Sequence, residues 1–323
     1  MGSPQEVVAP LKELLAADGD FNLVAVVSQP ARPVGRSGKL QDPPLAEFAK
    51  IHGILTLQPE SARSPEFLDQ LRALNVDVIV TAAYGQILSK KFLLIPKRAT
   101  INIHPSLLPK YRGATPVPAA LLQGEQKTGV SILFTVKELD AGPLICAEEF
   151  TIAPDETSGA LTQRLFHLSG KLLLQALDEL RDSQFSGQPQ NDDAATYCGK
   201  IEKSDGAVQW GLPAAVTLNR YRAFHPWPGS YTFFNGKRVS LLDVQNVAAL
   251  DPTVAAALSS AVWSSQEAGA FTFSKGAKAI FVRCGEGFLA VTKLQSEGGK
   301  PVDAAAFWNG IKDRSNCCFL AGS

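Results

Sequence analysis

Long apolar runs are missing from this chain. No stretch reaches the roughly 18 residues that a membrane-spanning helix needs, which leaves a soluble protein as the expectation. An excess of either charge is missing too. Lys and Arg number 31 and Asp and Glu number 31, for a net charge of zero. That balance argues against a protein that holds nucleic acid by bulk charge alone. The cysteines are few and odd in number: Cys146, Cys198, Cys284, Cys317 and Cys318. No C-x-x-C pair and no Cys/His zinc spacing occurs among them. They read as reduced thiols in a reducing compartment, with no structural metal. No G-x-G-x-x-G follows a strand, which ranks a nicotinamide dehydrogenase low. The lack of G-x-x-x-x-G-K-[ST] likewise disfavours an ATP-using enzyme. Secretory and transit segments, internal repeats and low-complexity tracts are also lacking.

What is present suffices for a sizeable core. Of 323 residues, 45% are apolar and 19% charged. Such a length predicts about two domains. Charge is unevenly spread: from Lys200 onward there are 13 Lys and Arg against 9 Asp and Glu, leaving 18 against 22 before it. A basic C-terminal part after an acidic N-terminal part is compatible with a polyanion-binding tail or with ordinary variation. Residues 5–16, 44–51, 65–74 and 160–181 carry helical apolar spacing, with Leu161, Leu165, Leu168, Leu172, Ala176 and Leu180 on the longest. Between them lie apolar strands at 21–27, 54–57, 76–83, 99–104 and 129–136. This alternation predicts a parallel α/β sheet covered on both faces. Residues 182–196 are polar and without period, and read as a linker. Beyond Trp210 the short segments SYTFF, RVSLLDV, AFTFS, AIFVR and FLAVTKL predict a small antiparallel barrel.

One strand end carries chemistry. In Ile101-Asn102-Ile103-His104-Pro105, alternation places Asn102 and His104 on one face, and Pro105 ends the ladder. An amide and an imidazole then sit side by side at the carboxyl end of the sheet, where open α/β sheets place ligands. Asp140 follows the next apolar strand, and a loop at that same edge brings its carboxylate to the other two. The three groups suit attack of an amine on an acyl carbon. The amide N–H and an imidazolium stabilise the oxyanion, and the carboxylate favours the charged imidazole. None is a good nucleophile, so direct transfer fits better than an acyl-enzyme. His52, His167 and His225 read as surface or packing residues.

The full stretch Asn102-Ile103-His104-Pro105-Ser106-Leu107-Leu108-Pro109-Lys110-Tyr111-Arg112-Gly113-Ala114 is more specific. It resembles the active-site motif of the folate-dependent formyltransferases. Ala83-Tyr84-Gly85-Gln86-Ile87-Leu88, the loop Leu139-Asp140-Ala141-Gly142 and the turn Met1-Gly2-Ser3-Pro4 are similar to that family as well. The loop from Gln29 to Leu40 and the run Arg222-Ala223-Phe224-His225-Pro226-Trp227-Pro228-Gly229-Ser230-Tyr231, with Asn235-Gly236-Lys237, resemble the members whose amine acceptor is carried on initiator tRNA. The match runs from residue 1 to about 311.

The resemblance implies a Rossmann-like formyltransferase sheet followed by an oligonucleotide-binding (OB-like) barrel. The implied organisation is a catalytic domain at 1–181, a linker at 182–205 and a tRNA-binding domain at 206–323. It implies formyl transfer from 10-formyltetrahydrofolate, without a metal, to the α-amine of methionine on initiator tRNA. Asn102, His104 and Asp140 take the catalytic places. Ser106, Leu107, Leu108 and Pro109 match the folate-contacting turn, and Tyr84, Gly85, Ile87 and Leu88 line the pterin slot. Arg32, Arg36 and Lys39 neutralise phosphates near the acceptor end. Lys200, Lys203, Arg220 and Arg222 extend a basic track toward the barrel. A monomer in the bacterial cytoplasm is expected, with a mitochondrial or plastid origin open.

Three departures stand out. In the family a central strand precedes the turn matched by Met1-Gly2-Ser3-Pro4. The sequence as given holds none, so a start placed late or a shortened chain is expected, with a sheet short of its middle strand. His225 stands where Asn or a small polar residue belongs, and the tail with Cys317 and Cys318 matches nothing. The alternatives are formyl transfer to another amine (an amino-sugar nucleotide or purine precursor), formyl-folate hydrolysis, and a catalytically silent RNA-binding module.

Overall fold

The computed structural model describes residues 1–17, 21–35, 38–247, 266–314 and 317–320. They form two units: Met1–Pro116 with Lys127–Thr151 and Leu161–Gly199, and Val117–Gln126 with Ile152–Ala160 and the chain from Lys200 onward.

In the first unit the amphipathic segments become α1 (Val8–Ala16), α2 (Pro44–Ile51), α3 (Pro65–Ala73) and the short α4 (Lys90–Leu93). Ser64 shows why α3 starts where it does. Its hydroxyl accepts the Phe67 N–H, and Pro65 needs no partner at the first helical position. Phe67, Leu68 and Leu71 on the inner face of α3 then pack with Ile79, Tyr84 and Phe92.

The strands are shorter than the apolar runs that announce them. The run 21–27 yields only β1 (Val26–Val27), and 76–83 yields β5 (Val78–Thr81). Apolar character makes a strand only where a neighbour supplies a hydrogen-bond ladder. Here β1 pairs in parallel with β4 (Thr56–Leu57), while β5 pairs in parallel with β6 (Ala99–His104). Met1 and Gly2 lie between the two pairs. The Met1 amine donates to Val80 O, Ala82 N donates to Met1 O at 2.9 Å, and Gly2 N donates to Val27 O at 3.0 Å. From the rest of the two apolar runs, Phe21–Ala25, Val76, Asp77 and Ala82 line a cavity of about 720 Å³. Two further strands, β2 (Arg32–Val34) and β3 (Lys39–Gln41), make an exposed hairpin.

The wholly parallel sheet is corrected. After β7 (Arg112–Gly113) and α5 (Pro116–Leu122), β8 (Lys127–Phe134) runs antiparallel to β6, and β9 (Leu144–Thr151) antiparallel to β8. The sheet of β5, β6, β8 and β9 is therefore mixed. The long helix is α6 (Ser158–Glu179), and none of the described helices is long and apolar enough to cross a membrane. The polar stretch after it is anchored as far as β10 (Tyr197–Cys198), which pairs in parallel with β7.

The second unit has α7 (Ala214–Phe224) and an antiparallel sheet. Its strands are β11 (Ser230–Phe234), β12 (Lys237–Asn246), β13 (Phe271–Ser274), β14 (Ala279–Arg283), β15 (Phe288–Ser296) and β16 (Val302–Asp303). The order is β11-β12-β15-β14-β13, with β16 on β15. Residues 317–320 meet both outer strands: Leu320 bridges Phe233, and Cys318 bridges Ala270. Phe319, 1% exposed, stacks on Phe271 at 4.2 Å and lies 5.9 Å from Trp210. The tail, silent in the sequence, thus completes this core. Helix α8 (Ala304–Asn309) covers it, capped by Asp303 on Ala306 N at 2.7 Å.

Candidate active site

Strand β6 ends on the residues of interest. Its alternation puts Asn102 and His104 on the same face, with Ile101 and Ile103 buried on the other. The Thr81 hydroxyl lies 2.9 Å from both Asn102 Oδ1 and Ile101 O, and has one proton to give to either. His104 is buried, and its Nε2 is 2.9 Å from Tyr111 O. A carbonyl only accepts, so that nitrogen carries the proton and Nδ1 is left for chemistry. Facing Nδ1 is Asp140 Oδ2, at 3.7 Å. The same carboxylate oxygen accepts Gly113 N–H at 2.8 Å. Burial dominates the imidazole and pushes its pKa below the ordinary 6.5, against the pull of Asp140 and the Tyr111 carbonyl.

Asp140 gets there by a different route from the one expected. Because β8 is antiparallel, its last residue, Phe134, pairs with Ile101, whereas His104 pairs with Ser131. The chain leaving β8 therefore starts from the wrong end of β6 and must double back. Asp140 takes a left-handed φ of 50°. Gly142 packs so tightly that a Cβ there would stand 1.8 Å from Phe134 O.

The turn after His104 is held from beneath. Fully buried Ser131 donates to Ser106 O at 2.7 Å and accepts Leu108 N–H at 3.1 Å. Ser106 Oγ donates to Lys110 O at 2.8 Å. Ser131 and Thr81 carry no motif, so sequence reasoning passes over both.

Two family models match this chain. One, described as formyl transferase, covers residues 1–177, and the other, its C-terminal domain, covers residues 200–312. The methionyl-tRNA formyltransferase of Chloroflexus aggregans is 38% identical over 311 residues, spanning 96% of each chain. That of Alkaliphilus metalliredigens is 36% identical over 310 residues, spanning 96% of this chain and 94% of its own. The chain belongs to the methionyl-tRNA formyltransferase family. Among solved structures, an N-formyltransferase from Helicobacter canadensis in complex with folinic acid and dTDP-3-aminofucose superposes with a TM-score of 0.60 at 15% identity, covering 90% of this chain and 96% of its own. HypX from Aquifex aeolicus in complex with tetrahydrofolic acid gives 0.60 at 15%, covering 94% of this chain and 51% of its own. At such identities these two speak for the fold.

A methionyl-tRNA formyltransferase must expose surfaces to two substrates, and the expected residues divide on that test. Gly85 and Ile87 are exposed, and Leu88, Leu107 and Pro109 are half-buried. Three others, Tyr84, Ser106 and Leu108, have buried side chains. The Tyr84 ring sits in the core with Phe67 and Leu71, and burial pushes its hydroxyl up to about 12. Ser106 and Leu108 are likewise buried. Of the cations, Lys39, Lys200 and Lys203 are exposed, as is Arg32, which lies 3.5 Å from exposed Glu60. Arg36 lies outside the described residues. Arg220 donates to Asp205 O at 2.9 Å and covers the Phe224 ring. Arg222 is buried, donating to Asn219 Oδ1 at 2.7 Å and Ala153 O at 3.3 Å. No group of His, Cys, Asp and Glu able to hold a metal occurs among the described residues.

Proposed function

We propose that this protein transfers the formyl group of 10-formyltetrahydrofolate directly to the α-amine of methionyl initiator tRNA, for translation initiation. The observation that carries this reading is His104. Its Nε2 proton is committed to Tyr111 O, and its free Nδ1 faces the Asp140 carboxylate at 3.7 Å.

The amine must be neutral to attack, and a buried, neutral imidazole is a suitable acceptor for its proton. As the amine nitrogen bonds to the formyl carbon, charge grows on the formyl oxygen, and the Asn102 amide N–H stabilises it. The amine proton passes to His104 Nδ1, where Asp140 favours the imidazolium. Collapse breaks the bond from the formyl carbon to N10 of the folate, and the proton returns to that nitrogen. No bond to the protein forms.

We place the folate against Gly85, Ile87, Leu88 and Leu107–Pro109, and the tRNA phosphates on Arg32, Arg36, Lys39, Lys200, Lys203 and Arg220. We assign catalysis to 1–181 and tRNA binding to 206–323, with 182–205 between them, in a cytoplasmic monomer.

The test incubates the protein with formyl-folate and charged initiator tRNA, with an amino-sugar nucleotide, and with no acceptor. Formylated methionyl-tRNA is expected from the first arm. Product in only the sugar arm, or free formate alone, would overturn the assignment. His104→Ala and Asn102→Ala should each lower kcat by about 10²–10⁴-fold with tRNA binding retained. A silent RNA-binding module predicts binding without turnover in every arm.

A further inference from the structure

Something must hold the reversed loop that carries Asp140, since Asp140 takes a left-handed φ of 50° outside any strand. The holder comes from beyond α6. Gln190 Nε2 donates to Asp140 O at 2.8 Å and to Gly142 O at 2.7 Å. Its Oε1 accepts from Arg112 Nε at 3.2 Å and Nη2 at 2.9 Å. Both carbonyls only accept and the guanidinium only donates, so the amide has one orientation that satisfies all four contacts. Arg112 cannot swing away. It is 2% exposed and also donates to Asp192 Oδ1 at 2.7 Å.

The main chain around Arg112 completes the frame. Tyr111 O accepts the His104 Nε2–H and Gly113 N–H donates to the Asp140 carboxylate. Tyr111 N donates to Thr196 Oγ1 at 2.8 Å, and Arg112 N to Thr196 O at 2.8 Å. The base and the acid are thus fastened to one strip, 111–113, whose other side is stitched to 190–198. That stretch falls between the two family matches, which end at 177 and resume at 200.

We infer that Gln190, gripped by Arg112, is a positioning residue for the Asp140 carboxylate, and that the segment 190–198 is working machinery rather than a tether. The inference rests on the formyl-transfer reading. With the amide gone, both loop carbonyls lose the Gln190 donor, and the carboxylate keeps its bond from Gly113 N but not the main-chain support behind it. A displacement on the scale of 1 Å costs about 10²-fold.

The test is a double-variant cycle on the full chain. Gln190→Ala should lower kcat by about 10²-fold with KM for both substrates little changed. Gln190→Met, which keeps the volume, should behave the same if the hydrogen bonds are what matters. In an Asp140→Asn background, Gln190→Ala should cost almost nothing more, because the group it positions has already lost its charge. Hydrogen exchange across 138–142, read without substrate, should quicken in both Gln190 variants. Wild-type transfer kinetics in Gln190→Ala, a fully additive loss in the Asp140→Asn background, or unchanged exchange would each overturn the inference. A wild-type chain that formylates nothing would sink the functional reading instead. The exchange measurement would still decide whether Gln190 holds the loop.

Discussion

His104 combines two demands that pull its pKa apart. Burial disfavours its charged form and Asp140 favours it, and burial wins. The folded imidazole therefore has a pKa below the unfolded one. Between those two values the unfolded chain binds a proton that the folded chain refuses, so stability must fall as pH drops below about 6.5. Urea midpoints at about pH 7.5 and about pH 5.5 should differ more for the wild type than for His104→Gln, which keeps a donor for Tyr111 O but cannot titrate. Equal pH dependence in the two proteins would contradict the burial argument. At this scale much of the site is legible in the sequence. Alternation along Ala99–His104 is enough to place Asn102 and His104 on one face. Gln190 is not legible, because a glutamine in a polar, aperiodic stretch has no pattern to betray it. Its importance comes from which carbonyls lie in reach, and only three-dimensional closure sets that.

Elements show a different limit. The apolar runs at 21–27 and 76–83 announce strands but overstate them, since ladder partners set strand length. Strand β9 escapes sequence reasoning for the opposite reason. Its ladder is with β8, apart from a bridge between Leu144 and Gln188, and Cys146, Ala147, Glu148 and Glu149 in its middle give no clean alternation. The short pair β7–β10 matters most to the site, and its glycine is diagnostic. Gly113 has φ of 124°, and a Cβ on it would stand 2.2 Å from Cys198 O. Gly113→Ala should therefore part the two strands and move the N–H that holds Asp140. We expect a loss of about 2 kcal/mol in unfolding free energy, together with a fall in transfer rate larger than that loss explains. Gly199→Ala is the control: it lies one residue past β10 with nothing within 4 Å of the added methyl, and it should alter neither quantity. Equal behaviour of the two variants would show that the close approach at Gly113 is not a constraint.

For the whole molecule, net neutrality and a polyanionic substrate have to be reconciled. The first 199 residues carry a net charge of −4 and the remainder +4, so attraction cannot come from the average. It must come from a few exposed cations set against local surroundings. Arg32 and Lys39, at the two ends of the exposed β2–β3 hairpin, are suited to this, and the 3.5 Å pair between Arg32 and Glu60 is too exposed to hold the guanidinium back. Each phosphate they neutralise should contribute about 0.7–0.9 to the slope of log binding constant against log salt. Replacing both with Ala should thus flatten that slope by about 1.5, weaken tRNA binding most at low salt and leave kcat at saturating tRNA unchanged. Arg222→Met should do the reverse: the salt slope stays and the unfolding midpoint shifts, because that guanidinium is spent on Asn219 and Ala153 inside the second unit. A slope that survives loss of the hairpin cations but responds to Arg222 would move the phosphate contacts off the hairpin.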